Sequence, residues 1–371
     1  DFALPTQVPE RLASVTVREV ARVSLGGPRL RVVLSNAYGP APLRIGAASV
    51  GLPMADGPAV QPATLRILRF GGQESVVIPP GGQVLSDPVD LPVPARGLVA
   101  VSAYLPGDTP LRSFHWEGRR HTWLAQGDRT GQARLAPSRT VTAHVLLAEV
   151  RVQTAKPAPV VVALGDSITD GAGSSPGRDR RWPDFLAQRL APQGVAVLNA
   201  GISGARLLSD GMGANALARL DRDVLAHRNV RAVVVLLGIN DISWPGSAFV
   251  PGGTLPELRD LVAGYRQLIA QARARGVRVI GATLTPFQGA LEGTPITGYY
   301  SARKDVLRQA VNTWIRESGE FDAVLDTDAL LRDPQAPARL LPRYDSGDHL
   351  HPGDAGYRAI AHAVDIKALL P

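Results

Sequence analysis

Ser167 stands in Gly165-Asp166-Ser167-Ile168-Thr169-Asp170-Gly171, directly after the apolar run Val160 to Leu164. A buried strand that ends there in a tight turn would present one serine hydroxyl. Towards the other end of the chain, Asp348-His349-Leu350-His351-Pro352 supplies a carboxylate and two imidazoles. A serine, a carboxylate and an imidazole are the parts of a nucleophilic hydrolase: the imidazole takes the hydroxyl proton and the carboxylate orients the imidazole. The chain order Ser, Asp, His is one of several that reach this geometry. Asp348 and His351 are three residues apart, a spacing at which a carboxylate can reach an imidazole within one turn. His349 is the rival base, and it points elsewhere if Asp348 and His351 share a face. Asp345 and Asp354 are nearby carboxylates, of which Asp354 reads as the start of a helix. Ser167 could also cap a helix, and the two roles are compatible because a helix N-terminus favours developing negative charge.

The elements that must position these groups change character along the chain. Residues 1–150 are punctuated by Gly and Pro, as in Gly26-Gly27-Pro28, Gly71-Gly72 and Pro79-Pro80-Gly81-Gly82. Between these lie short alternating runs: Leu30, Val32, Leu34; Val99, Val101, Ala103; Val141, Ala143, Val145, Leu147. Short strands with turn signals between them predict a β-sandwich without a long amphipathic helix. Residues 151–158, with Lys156-Pro157, read as a linker to a second domain at 159–371. There strands are predicted at Val160–Leu164, Val195–Leu198, Val230–Leu237, Val277–Leu284 and Ala323–Asp326. Helices are predicted at Trp182–Ala191, Asn215–His227, Leu255–Arg275, Ala302–Ser318 and Asp354–Leu370. Alternating strands and helices predict a parallel sheet covered on both faces, with its site at the carboxyl ends of the strands.

Composition narrows the class. The chain has 371 residues, enough for two domains, and is 45% hydrophobic and 20% charged, ordinary for a globular protein. Its longest apolar run, Val230 to Ile239, is broken by Arg231 and Gly238 and is too short for a membrane span. The absence of cysteine excludes disulfides, thiolate metal sites and a cysteine nucleophile. The net charge of +7 is carried by arginine, since Lys156, Lys304 and Lys367 are the only lysines. The arginines are scattered and no nucleic-acid motif accompanies them, so no nucleic-acid partner is expected. A chain beginning at Asp1 rather than Met is expected to have lost residues upstream, as a signal peptide or otherwise, and a secreted or periplasmic location is the favoured expectation.

Four segments fall at or beyond predicted strand ends or before the last helix: Gly165-Asp166-Ser167, Asn199-Ala200-Gly201-Ile202-Ser203-Gly204, Gly238-Ile239-Asn240-Asp241 and Asp348-His349-Leu350-His351. Together and in this order they resemble the signature blocks of the SGNH (GDSL-type) hydrolases, over roughly residues 160–371. The resemblance implies a flavodoxin-like three-layer α/β/α domain that hydrolyses carboxylic esters without a cofactor or metal. It implies Ser167 as nucleophile, His351 as base and Asp348 as its partner. It also implies an oxyanion hole formed by the Ser167 and Gly204 N–H groups and the Asn240 side chain. Gly201 competes with Gly204 as a turn glycine, and an Asx turn with Asp241 competes for Asn240. Asp166 and Asp241 read as structural. Segments Val17–Val20, Arg31–Gly39, Ser86–Val89, Asn215–Asp223 and Tyr344–Pro352 are similar to a subset of these hydrolases with a preceding all-β sandwich of jelly-roll type. That subset resembles esterases encoded with xylan-degrading enzymes.

Two features stay open at this level. His115, Trp116, His121 and Trp123 form either a sugar-stacking platform or, as favoured here, packing at a domain interface. Trp182-Pro183 and Trp244-Pro245 either wall a substrate pocket or pack the core. The expected substrate is a short-acyl (acetyl) ester, small or on polysaccharide. The alternatives are a general small-ester or lysophospholipid hydrolase and, in another class, a carbohydrate-binding protein with a vestigial hydrolase domain. Oligomeric state is not encoded in any of these features.

Overall fold

The computed structural model describes residues 8–55 and 57–370. Asp1, on which the expectation of lost upstream residues rests, lies outside them. The chain divides into two compact units, Leu4–Pro157 and the segment from Ala158 onward.

In the first unit, alternating apolar residues build two antiparallel sheets. One has six strands in the order Arg139–Val141, Thr122–Gln126, Val15–Arg22, Leu98–Leu105, Ala47–Gly51, Arg66–Ile67. The other sets Leu147–Val152, Gln83–Leu85 and Val89–Val93 against Gly27–Ser35. Val17, Val99, Val101 and Ala103 of the first sheet share one buried cluster with Leu30, Val32, Leu34 and Leu91 of the second, so this unit is a β-sandwich. Its only helical piece among the described residues is the 3-10 turn Pro62–Thr64.

The alternation expected to run through Val145 stops at Val141, and 142–146 form no strand. The Glu19 carboxylate, buried inside the unit, accepts the Val145, Leu146 and Leu147 N–H groups at 2.7, 3.0 and 3.0 Å, taking the place of a ladder partner. The strand Leu147–Val152 also runs two residues beyond the expected boundary at 150.

The second unit carries a five-stranded parallel sheet. In chain order its strands are β1 (Val160–Gly165), β2 (Ala196–Gly201), β3 (Val230–Leu236), β4 (Arg278–Ala282) and β5 (Ala323–Leu325). Their spatial order is β2-β1-β3-β4-β5, the flavodoxin-like order, with its switch point at β1 and β3. The near-continuous apolar runs follow from burial on both faces. Val161 and Ala163 point into one cluster, Val162 and Leu164 into the other, and β3 divides its residues in the same way.

On one face pack α2 (Trp182–Leu190) and α8 (Asp354–Ala363), through Trp182, Leu186, Tyr357 and Ile360. On the other lie α3 (Ala216–Leu220), α5 (Leu258–Arg273) and α6 (Ala302–Glu317), through Leu220, Leu261, Tyr265, Leu268, Val311 and Ile315. Their 3- and 4-residue spacing gives each long helix one apolar stripe. Short helices α1 (Ser167–Asp170) and α4 (Ile239–Ser243) follow β1 and β3 directly.

Some boundaries differ from expectation for identifiable reasons. The helix expected over Asn215–His227 passes into a π turn at Asp221–Leu225 after α3. The closing helix breaks after Ala363, and α9 (Ile366–Leu369) restarts on a cap in which Asp365 accepts the Lys367 N–H at 2.9 Å. A further helix, α7 (Thr327–Leu331), is capped in the same way by Asp326 and leads into the hairpin Arg332–Asp333 and Ala336–Leu340. Among the described residues no helix is long and apolar enough to cross a membrane.

Candidate active site

The sheet order brings three loops to the carboxyl ends of β1, β2 and β3. Ser167 begins α1, two residues beyond β1. Asp166 is the cap, accepting the Ile168 N–H at 3.0 Å, so the local fold sets the serine on the first turn after the strand. Gly165 has no room for a side chain: a Cβ there would stand 2.6 Å from the Leu236 carbonyl oxygen of β3. Gly201 is equally confined, with a Cβ falling 2.2 Å from the Asp170 nitrogen, and its N–H is engaged by Asn199 Oδ1 at 2.9 Å. It is therefore the packing glycine, and it lets β2 pass close to α1. Gly204 is the turn glycine, at φ +75°.

Asp348 and His351 lie in the loop before α8. Ser167 Oγ–H donates to His351 Nε2 at 2.8 Å, and His351 Nδ1–H donates to Asp348 Oδ2 at 2.6 Å. The donor assignment follows from the ionised carboxylate, which only accepts; Nδ1 must carry the proton, and Nε2 is left as the acceptor. Asp348 Oδ1 accepts two backbone N–H groups, Leu350 at 3.0 Å and His351 at 2.8 Å. Burial alone would raise this carboxyl. The hydrogen bond and charge of His351, with the two N–H groups, outweigh it and hold Asp348 well below the usual carboxylate range.

The loop is tied down by the Ser346 N–H on His351 O (3.0 Å), the Leu291 N–H on Asp348 O (2.8 Å) and the Gly353 N–H on Tyr344 O (2.7 Å). Asp354 is the first residue of α8, and it also accepts the Ser175 N–H and hydroxyl at 2.8 and 2.7 Å.

His349 is engaged elsewhere. It sits at φ +61°, its ring is half-exposed, and its Nδ1–H donates to Asp345 Oδ2 at 2.6 Å. Asp345 Oδ1 accepts the His349 and Gly347 N–H groups as well. The loop thus carries two interleaved Asp–His pairs with like bonding, of which the 348–351 pair reaches Ser167. In the sequence Asp345 reads only as a neighbouring carboxylate; its four-residue spacing to His349 is the signal that marks this second pair.

The potential oxyanion donors are held by side chains. Among the described residues no acceptor engages the Ser167 or Gly204 N–H. Asp170 Oδ2, at the end of α1, accepts both the N–H and hydroxyl of Ser203, at 3.1 and 2.9 Å, and so fixes the residue beside Gly204. Asn240 is buried on α4. Its Nδ2 donates one proton to Ala205 O at 3.0 Å and keeps the other, while Oδ1 accepts from the Tyr299 hydroxyl at 2.7 Å. These bonds stand in place of the Asx turn with Asp241. Asp241 instead accepts the Leu207 and Leu208 N–H groups at 2.8 and 2.9 Å. Burial pushes the Asp166 carboxyl up to about 7 and Asp241 up to about 6, in each case against the pull of the N–H groups they accept.

Trp123, Trp182 and Trp244 are buried packing residues. Trp182 is fully buried at the start of α2, and its Nε1–H reaches Thr169 Oγ1 at 3.3 Å. Trp244 follows α4 in a buried cluster with Ile239, Phe287, Tyr299 and Leu350, and stacks on Phe249 at 4.6 Å. Trp123 is buried within the β-sandwich against Val20, Val60, Ala100 and Leu135, and its face is closed to a sugar. Trp116 is half-buried and His121 exposed, while His115 pairs its backbone with His144. Tyr299 and Lys304, whose contacts with the Asn240 helix are given below, carry no signal in the sequence. Among the described residues no three His, Asp or Glu side chains are grouped as metal ligands would be.

Parts of the chain are similar to solved structures. Two of these are a GDSL-like lipase from Bacteroides thetaiotaomicron (19% identity, 58% of this chain and 91% of that one, TM-score 0.43) and an aryl esterase from M. smegmatis (19% identity, 57% and 100%, TM-score 0.44). No curated protein sequence matches the chain. Residues 163–359, more than half of the chain and spanning Ser167, Gly204, Asn240, Asp348 and His351, match the model of one family. The chain belongs to the GDSL-like lipase/acylhydrolase family and is a carboxylic ester hydrolase.

Proposed function

We propose that the enzyme cleaves short-acyl esters through an acyl-enzyme on Ser167, with His351 as base and acid and Asp348 orienting it. The observation that carries this reading is the continuous hydrogen-bonded chain from Ser167 Oγ through His351 to Asp348, at 2.8 and 2.6 Å. As Oγ bonds to the acyl carbon, its proton passes to His351 Nε2 and the carbonyl pair moves onto oxygen. The Ser167 and Gly204 N–H groups and the free Asn240 Nδ2–H receive that oxyanion, which they favour over the neutral carbonyl. Collapse breaks the ester C–O bond, and His351 gives its proton to the departing alcohol. Water then repeats the sequence on the acyl-enzyme and frees the acid.

The short acyl group, acetyl in the first place, is carried over from the resemblance of the β-rich segments to esterases encoded with xylan-degrading enzymes. A sugar hydroxyl as the alcohol rests on the resemblance of the β-rich segments to those of xylan-associated esterases, and a secreted or periplasmic location accords with such a polymer. The test is kcat/KM on p-nitrophenyl esters from acetyl to dodecanoyl, beside acetate release from acetylated xylo-oligosaccharides. Highest kcat/KM on acetyl is expected. A maximum at octanoyl or longer would refute the short-acyl reading, and no acetate release from the oligosaccharides would refute the sugar alcohol. Ser167→Ala is expected to lower kcat by about 10³-fold or more, which would also rule out a vestigial domain.

A further inference from the structure

We propose that Tyr299 is the positioning residue of the oxyanion donor Asn240, and that Lys304 clamps together the two segments that carry this pair. The inference rests on Asn240 acting as that donor.

An asparagine amide is nearly symmetric in shape, so only its partners decide which end faces a substrate. Ala205 O can only accept, and it claims one Nδ2 proton at 3.0 Å; the Tyr299 hydroxyl donates to Oδ1 at 2.7 Å. Turning the amide over would set two acceptor oxygens against each other at Ala205 and leave the tyrosine proton without its acceptor. The two partners together therefore fix the amide with one N–H to spare. Tyr299 is buried, and burial pushes its phenol far above the ordinary range, so the hydroxyl stays protonated and remains a donor. Donation to the amide oxygen also polarises the amide and strengthens the N–H on its other side.

Lys304 supplies the second half of the device. It is buried, and among the described residues no carboxylate lies within ion-pair distance. Its Nζ donates to Ser243 O and Gly298 O, both at 2.6 Å, and more weakly to Tyr299 O at 3.4 Å. Ser243 is the last residue of α4, the five-residue helix that bears Asn240. A helix this short does not hold its own orientation, and its final carbonyls lack helical partners; a cation is favoured at that end. One ammonium thus ties the C-terminal turn of α4 to the segment that presents the Tyr299 hydroxyl. An unpaired buried ammonium is costly in a fold, and burial pulls its pKa down to about 8. A positioning role for the acylation step gives that cost a reason.

The experiment is a mutant cycle read as kcat and KM on p-nitrophenyl acetate, with a thermal melt of each variant. Asn240→Ala is expected to lower kcat by about 10²–10³-fold. Tyr299→Phe, which removes one oxygen and no carbon, is expected to lower kcat roughly 10-fold or more with KM little changed. In the Asn240→Ala background the same change should cost less than about two-fold, because the group being positioned is already gone. Lys304→Met is expected to follow the same pattern: a fall in kcat alone, and little further fall without Asn240. Undiminished kcat in Tyr299→Phe, or a loss of equal size with and without Asn240, would overturn the inference. Undiminished kcat in Asn240→Ala would instead refute the oxyanion reading on which it stands.

Discussion

Asp348→Asn is the most informative single change, because the structure dictates how the new side chain must sit. Asp348 Oδ1 accepts the Leu350 and His351 N–H groups at 3.0 and 2.8 Å, and Oδ2 accepts His351 Nδ1–H at 2.6 Å. An asparagine has one oxygen, and two backbone donors claim it. Its NH2 group must therefore face Nδ1 and donate to it. The imidazole then carries its proton on Nε2, the atom that receives the Ser167 proton in the proposed mechanism, and the carboxylate that would stabilise the imidazolium is lost. A triad held in the wrong tautomer loses on the order of 10³–10⁴ in kcat, or about 4–5.5 kcal/mol at ~1.36 kcal/mol per decade. The fold should survive, since the shape and both backbone bonds are retained. The assay is kcat/KM on p-nitrophenyl acetate with a thermal melt. The control is Asp345→Asn, where the same argument flips the tautomer of His349; that imidazole does not touch Ser167, so kcat should stay within roughly three-fold. Equal losses in the two variants, or more than a tenth of parental kcat in Asp348→Asn, would refute the reasoning.

Two stability predictions accompany it. Asp166 is held at about 7 in the folded chain against ~3.9 when unfolded, so its proton favours the native state at low pH and that contribution is lost as pH rises towards and through 7. Asp166→Asn keeps the oxygen that caps α1 and removes the titrating proton; its Tm should gain on the parent's between pH 5 and 8, and a constant difference would count against the assignment. Gly201→Ala would place a methyl 2.2 Å from the Asp170 nitrogen, which is backbone and cannot turn aside, so a loss of about 1–3 kcal/mol is expected in urea unfolding together with reduced kcat. An unchanged unfolding midpoint would show that α1 and β2 can separate freely.

What is legible in the sequence is legible because it is local. The strands of the second unit announce themselves through runs such as Val160–Leu164, whose neighbours enter opposite clusters of the core. Asp348 and His351 are close in the chain and close in space. Capping residues carry local information of the same kind: Asp326 and Asp365 are helix caps of ordinary type, and each marks a helix boundary that the periodicity alone blurs. What cannot be read depends on partners distant in the chain. Glu19 takes up the N–H groups of Val145 to Leu147, beginning 126 residues away, where the apolar alternation alone would continue a strand. Tyr299 meets Asn240 across 59 residues from a segment without regular structure. Lys304 has the sequence context of an ordinary helix-surface lysine, and only the fold turns it inward.

The carboxylates around the site explain how loops with so little regular structure hold reacting groups still. Asp170 grips Ser203 from the end of α1, Asp241 grips Leu207 and Leu208 from α4, and Asn240 reaches Ala205 between them. The segment bearing Gly204 is thus fastened on one side to the helix that begins with Ser167 and on the other to the helix that carries Asn240. Each tie uses a buried polar group, and burial opposes the charge of Asp241 strongly enough to carry its pKa to about 6. A core built for stability alone would fill these positions with apolar side chains. Catalysis makes a different demand: donors must stand where charge will develop before it develops, so that nothing need reorganise when it does. In the proposed mechanism the buried acids meet that demand by holding the segments that carry the donors.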